Sequence, residues 1–356
     1  MLYPIGRVSF PFNVYLAAFV SAFLTAAVAL PLWRKWCLRT GLVDAPGQRK
    51  IHDQPVPLAG GLAVMSALAL PPLVAALVLL WQGAHGATKT PSPQPTPPPA
   101  SALHWTPANR NVEGLLLYGL NRRGLELAGI LVGAAGVLVV GLLDDKHELR
   151  AGTKFVGQLF VAALVAASGA RITLFVHSTI FSYAITILWI LTLFNALNFM
   201  DNMNGLCAGL GAIGSWYFAM LAGAEGQYLV ALLAFLSCGA LLGFLPYNFP
   251  HARAFLGDAG SHLVGYLLAV LAILPHFYTP RHPRHWAVLM PLLVLAVPLA
   301  DLLQVVVFRW RTGRPIYVGD TNHLSHRLVR AGLSRRQAVL VIWLAAAVLG
   351  GVACMI

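Results

Sequence analysis

Apolar residues run along this chain in long blocks, and polar residues gather in the gaps between them. Ten blocks approach the roughly 17–25 residues that a helix needs to cross a bilayer. They lie at 12–32, 58–80, 125–143, 155–170, 180–199, 205–223, 227–246, 261–276, 286–308 and 337–356. The blocks at 155–170 and 261–276 are short, as helices that break near a site often are. The pattern predicts an all-α fold, a polytopic transmembrane helical bundle. The first block exceeds the apolar core of a signal peptide, roughly 7–15 residues, and reads as a retained first span.

Composition sharpens this picture. The chain has 356 residues, 58% of them hydrophobic and only 10% charged. Soluble domains carry roughly 25% charged residues. A fully hydrated surface cannot be built from so few charges, so most of the protein must face lipid.

Charge placement sets the orientation. The net charge is +12, and 16 of the 24 Lys and Arg residues fall in the loops after the odd-numbered spans. The positive-inside rule makes those loops cytoplasmic and puts both termini outside. Anionic lipid or an anionic substrate is then the expected partner of the basic residues, and no nucleic-acid motif is present. Eight of twelve acids share these loops, which the positive-inside rule does not require. Carboxylates mixed with basic residues on one face suggest a cation and a phosphate bound together. Residues 82–124 contain PSPQPTPPPA and read as an extended external linker. The four cysteines, Cys37, Cys207, Cys238 and Cys354, lack metal or redox spacing.

Five polar stretches carry candidate chemistry. GLVDAPGQRKIHDQPVPLAGG, residues 41–61, offers Arg49, Lys50 and His52 as phosphate donors; an ordinary basic loop is the alternative. GLLDDKHELRAGTKF, residues 141–155, places Asp144 and Asp145 directly after a span and Lys154 ten residues on. Adjacent carboxylates at a membrane edge are costly unless paired or metal-bound, and acids at a helix C-terminus oppose its dipole. NALNFMDNMNGL, residues 195–206, puts Asn195, Asn198 and Asp201 on one helical face, followed by Asn202 and Asn204. These amides suit a nucleobase or metal-bound water; helix–helix hydrogen bonding is the other reading.

NFPHARAFLGDAGS, residues 248–261, begins with Asn248 and carries Asp258 between glycines at a helix start. Asp258 is the leading candidate metal ligand, and free amides there can meet an anion; an N-cap is the alternative. In GDTNHLSHRL, His323 and His326 at i, i+3 are expected to share a helical face beside Arg327. No Glu or Cys completes a zinc set, which leaves phosphate binding or proton transfer. Asp301 lies inside the ninth block, where it is a site candidate or a partner for Arg309 or another helix.

These five stretches, the last extended back to VPLADLLQVVVFRWRTGRPIYVGDTNHLSHRL, occur here in one order. Together they resemble the polyprenyl-phosphate N-acetylhexosamine-1-phosphate transferases, a family related to the phospho-N-acetylmuramoyl-pentapeptide transferases. The likeness covers nearly the whole chain except the Pro-rich linker. The opening motif is closer to the N-acetylglucosamine branch than to the muramoyl-pentapeptide branch.

The resemblance implies ten or eleven transmembrane helices in the bacterial inner membrane, in one integral transferase domain with a cytoplasmic-face active site. It implies transfer of N-acetylglucosamine 1-phosphate from a UDP-N-acetylhexosamine to polyprenyl phosphate, with release of UMP. It further implies dependence on magnesium, with manganese as the substitute, and membership of a family in which dimers are common. Its aspartate pair maps onto Asp144 and Asp145, its phosphate-facing lysine onto Lys154 and its nucleotide-side acid onto Asp201. Its metal ligand maps onto Asp258, with Asp201 as a second, and its histidine motif onto His323 and His326. Substrate contacts fall to Arg49, Lys50, His52, Lys154, Asn195, Asn198, Asn204, Asn248 and Arg327. Three positions depart from the family pattern: Asn204 replaces a second aspartate, Asn202 a glycine, and Ser325 interrupts the histidine run. An ion-coupled transporter or flippase is the rival class, but its acids belong at mid-membrane. Only Asp301 is predicted there.

Overall fold

The computed structural model describes residues 11–46, 54–86, 112–173, 176, 178–275, 277, 285–313 and 322–356. Only the backbone is described for 82–86, 112–122 and 285. Helices dominate: α1 (Phe12–Thr40), α2 (Gly60–Gly86), α3 (Val112–His147), α4 (Ala151–Ala167), α5 (Thr179–Met200), α6 (Leu206–Ala224) and α7 (Tyr228–Phe244). They continue with α8 (Gly257–Ile273), α9 (Met290–Val294), α10 (Ala296–Arg311), α11 (Leu324–Arg330) and α12 (Arg335–Ala353). Among the described residues, β1 (Val43–Asp44) and β2 (Val56–Pro57) form a two-residue antiparallel ladder.

Among the described residues seven helices are long and apolar enough to cross a membrane, and α4 and α8 are shorter apolar helices. The block predicted as one span at 286–308 is not straight. Its two halves, Trp286–Val294 and Ala296–Arg311, meet at a 76° bend and count together as an eighth span. Pro291 and Pro298 flank the bend, and each lacks the N–H that would continue the ladder. Helix also reaches into the predicted 82–124 linker from both sides, since α2 runs to Gly86 and α3 begins at Val112. The Pro-rich stretch itself lies outside the described residues.

Lipid and protein faces separate cleanly on α1. Leu16, Val20, Leu24, Val28 and Leu32 are exposed, while Ala22, Ala26 and Leu30 are buried. The apolar stripe at four-residue spacing faces lipid. The small residues let α7 approach closely: a Cβ on Gly239 or Gly243 would fall 2.2 or 2.3 Å from the α1 carbonyls of Phe19 and Phe23.

The centre of the bundle is α8. Residues Ala259–Ala272 are all buried, packed between α3 and α5 with α2 and α6 alongside. Protein rather than lipid surrounds it, so its shortness does not leave polar ends in hydrocarbon. Its N-terminus, the C-termini of α3 and α5 and the start of α4 meet at one end of the bundle.

Candidate active site

Asp144 and Asp145 occupy the last turn of α3, against the helix dipole. The structure shows what offsets that cost. Asp144 is buried. Its Oδ2 lies 2.6 Å from Lys154 Nζ, and its Oδ1 accepts the Leu149 backbone N–H at 2.9 Å. Lys154 comes from the first turn of α4, so the tight α3–α4 connection brings acid and base together.

Asp145 faces the other way. Its Oδ1 accepts the Asp258 N–H at 2.6 Å and its Oδ2 the Ala259 N–H at 3.1 Å. It therefore caps α8 from another helix, satisfying two of the amides that a helix N-terminus leaves open. In the sequence Asp145 was grouped with the catalytic acids; here both its oxygens are engaged in holding the α8 start. The N-cap reading of Asp258 is corrected with it, because Asp258 lies inside the first turn and the cap comes from α3.

That junction needs glycine. Gly257 has φ +70°, and a Cβ there would lie 2.6 Å from Asp145 Oδ2. A Cβ on Gly141 would lie 2.3 Å from Ala259 Cα. The strand-like segment before α2 braces the same turn: Phe255 N–H donates to the Pro57 carbonyl at 3.0 Å, and Gly60 N–H to that of Phe255 at 2.9 Å. Arg49, Lys50 and His52, in the loop before this segment, lie outside the described residues.

Asp258 Oδ1 stands 3.4 Å from Lys154 Nζ and also accepts from Asn198 Nδ2. Asn198 Nδ2 is shared with Ser261 Oγ at 2.9 Å. Asn198 of α5 and Lys154 of α4 thus meet on the same oxygen of Asp258. Asn195, one turn earlier, donates to the Leu191 carbonyl at 2.8 Å and to Gln158 Oε1 at 3.4 Å. Helix–helix bonding describes Asn195 better than the substrate contact expected of it. His262, which the sequence reading passed over, is buried with Nδ1 2.5 Å from the Asp258 carbonyl.

Asp201 follows α5 as its C-cap and is half-buried. Burial first, then the like charges of Asp258 and Asp145, push its carboxyl up to about 8. The neighbouring amides turn inward. Asn202 accepts from Ser325 Oγ at 2.7 Å, and Asn204 Nδ2 donates to the Pro250 carbonyl at 3.2 Å. Asn248, expected to touch substrate, is buried; it accepts the Gly205 N–H at 2.6 Å and donates to the Ala254 carbonyl at 2.9 Å. Both ends of its amide staple loops, so we place it in the scaffold.

The expectation that His323 and His326 share a helical face is corrected. His323 is extended at the N-cap of α11 (φ −62°, ψ 152°), and His326 lies within the helix. The cap conformation turns the His323 ring inward, where Nδ1 meets Asp301 Oδ2 at 2.7 Å. His326 is half-buried, and burial, then the charges of His323, Arg330 and Arg335, hold its imidazole below the ordinary range. Arg327 lines a surface groove with Arg311, Arg330 and Leu303.

A divalent ion can be tested against this arrangement. Among the described residues no three His, Cys, Asp or Glu side chains are grouped to hold a metal. Yet Asp144 and Asp258 converge on one cationic point, which the Lys154 ammonium takes here. Their donors are oxygen, and magnesium characteristically uses one or two carboxylates with waters and substrate phosphates rather than a protein cage. The residues therefore fit magnesium better than zinc.

The family profile described as Glycosyl transferase family 4 matches residues 127–276, the stretch from α3 to α8 that holds Asp144, Asp145, Asp201 and Asp258. The decaprenyl-phosphate N-acetylglucosaminephosphotransferase of Mycobacterium tuberculosis (strain CDC 1551 / Oshkosh) is 32% identical over 359 residues, covering 92% of this chain and 78% of that one. The chain belongs to the polyprenyl-phosphate N-acetylhexosamine-1-phosphate transferase family. The Mycolicibacterium smegmatis (strain ATCC 700084 / mc(2)155) enzyme of the same name is 31% identical, covering 90% and 78%. More distant in the family, the undecaprenyl-phosphate alpha-N-acetylglucosaminyl 1-phosphate transferase of Yersinia pestis is 27% identical, covering 94% and 81%. As a family member the chain is a transferase embedded in a membrane by many helices.

Proposed function

We propose that this protein transfers N-acetylglucosamine 1-phosphate from UDP-N-acetylglucosamine to polyprenyl phosphate, releasing UMP. The observation that carries the reading is the meeting of Asp144 and Asp258, from separate helices, on Lys154 at one end of the bundle. The names of the relatives support the sugar and the acceptor class. The charge bias of the loops supports a cytoplasmic active site in the bacterial inner membrane, with both termini outside.

In the reaction an oxygen of polyprenyl phosphate bonds to the sugar-bearing phosphorus, and the bond from that phosphorus to the oxygen of UMP breaks. Such a transfer depends on positioning and charge neutralisation more than on covalent chemistry by the protein. The acceptor phosphate has a second pKa near 6 by analogy with phosphoamino acids, so at neutral pH it is largely a dianion and needs binding more than deprotonation. Lys154 supplies a fixed positive charge for that purpose. Asp144 and Asp258 would hold magnesium, which when bound supplies charge neutralisation to the pyrophosphate. Asp145 and Asn198 fix where Asp258 stands. Asp201, whose carboxyl is pushed up to about 8 by burial and its neighbouring acids, would exchange a proton with the departing or arriving phosphate. Ser325 and Asn202 tie the histidine turn to the same end of α5.

The test is UMP release from UDP-N-acetylglucosamine by purified protein with polyprenyl phosphate and magnesium. Release that requires both the lipid phosphate and Asp258 is expected. Release unaffected by Asp258→Ala, or none with any UDP-N-acetylhexosamine, would overturn the reading.

A further inference from the structure

Asp301 sits in the middle of α10, away from the Lys154 cluster, and is almost wholly buried (2% exposed). A buried carboxylate is costly unless its oxygens are bonded. Pairing with Arg309 or with another helix is what its position predicts, and the structure puts α11 on the carboxylate: Oδ1 accepts the Leu324 N–H at 2.6 Å, and Oδ2 lies 2.7 Å from His323 Nδ1. One carboxylate thus anchors both the first amide of α11 and the ring of its N-cap residue.

The bond has a direction. An ionised carboxylate only accepts, so the His323 nitrogen facing it must carry the proton. Nε2 is then left as the ring atom that can take up or give a proton. The ring is also packed from α5: the Phe199 ring lies 5.8 Å from it, and the Arg309 guanidinium lies 5.4 Å from the Phe199 ring centre. Phe199 is two residues before Asp201. Ser325 adds a second tie through Asn202. The histidine turn is therefore docked on the segment that presents Asp201.

We infer that Asp301 is a positioning residue, holding His323 in the Nδ1–H form with Nε2 turned to the phosphates of the reaction. This deepens the transferase reading and rests on it for the identity of those phosphates. Asp301 from α10 bonds the His323 ring and Phe199 from α5 packs against it; Arg309 lies over the Phe199 ring, and His326, three residues on, has the charges of Arg330 and Arg335 beside it. Among these Asp301 is the acid bonded to the ring.

Two measurements test the inference. The first is the tautomer of His323 in wild-type protein in lipid nanodiscs, from heavy-nitrogen-labelled histidine spectra. It is read at about pH 8, above the ordinary histidine range, with the signal assigned by its loss in His323→Gln. An Nδ1–H ring is expected; an Nε2–H ring overturns the inference, whether or not the protein turns over UDP-sugar. The second is Asp301→Asn, which keeps an acceptor for Leu324 but presents an amide N–H to the ring. Its kcat should fall about 10²-fold or more, as when a carboxylate behind a working histidine becomes an amide. The KM for UDP-sugar should stay within about threefold, and the histidine limb of the pH profile should move to lower pH. A loss of kcat with the limb and tautomer unmoved would reduce Asp301 to a helix cap and overturn the inference. Absence of UMP release by wild type would instead sink the transferase reading, leaving the tautomer to decide this one.

Discussion

Asp145 at the end of α3 caps the helix that carries Asp258, with its Oδ1 2.6 Å from the Asp258 backbone nitrogen. The position of the second acid is thus set by the first pair. Hydrogen bonds to a charged group contribute about 1.5–3 kcal/mol each when the site is sheltered. Asp145→Ala is expected to cost about 2–4 kcal/mol and to displace Asp258. Asp145→Asn keeps one acceptor and should retain more stability while still lowering kcat. Thermal unfolding in detergent and UMP release, measured on both variants, check the ordering. Equal unfolding temperatures for wild type and Asp145→Ala would show that the cap carries no weight.

Gly141 and Gly152 lie eleven residues apart, yet their substitutions should have opposite signs. A Cβ on Gly141 would press on the α8 backbone at 2.3 Å, whereas nothing lies within 4 Å of a Cβ on Gly152. Gly141→Ala should destabilise by about 1–3 kcal/mol, the range for overpacking. Gly152→Ala, in the first turn of α4, should stabilise by up to about 1 kcal/mol. A pair of denaturation curves compares them directly.

The spans were legible because lipid imposes a length on an apolar block, and that length survives in the sequence. Direction was not: the block at 286–308 is apolar on both sides of the break, so its hydropathy alone carries no trace of the 76° bend that Pro291 and Pro298 flank. In the site, the readable acids were those clustered in loops. What Asp145 and Asn248 do stayed hidden because their partners are backbone groups, which every residue has. The Asp301–His323 pair spans 22 residues and two elements, and no periodicity links them. The side-by-side histidines were misplaced because a helical i, i+3 face was assumed where the chain starts a helix with an extended cap.

Lys154 separates two carboxylates, and its removal should expose their repulsion. Lys154→Met leaves Asp144 and Asp258 facing each other without their shared ammonium. Loss of one partner of a sheltered charge pair costs about 3–5 kcal/mol at full burial and less here, since Lys154 is about one-fifth exposed. Turnover should fall about 10²-fold or more, the scale for a lost charge at a developing anion. Magnesium should raise the unfolding temperature of this variant more than that of wild type, because a cation is then missing. Thermal shift against magnesium concentration measures that difference, and an equal response in both proteins would contradict the shared cation point.

Asp201 gives the protein a pH dependence with a defined sign. Its carboxyl is raised to about 8 in the fold, against about 3.9 in an unfolded chain. The folded state therefore binds the extra proton across that window, and stability is present below about pH 4 and lost as pH rises through about 8. Without divalent ions, the unfolding temperature should fall from pH 6 towards pH 8.5, roughly the upper half of this window. Asp201→Asn, which cannot ionise, should flatten the slope, and added magnesium should flatten it in wild type by compensating the carboxylate that forms. The half-buried position of Asp201 limits the size of the effect but not its direction. A wild-type slope that the asparagine variant reproduces would assign the titration to another group.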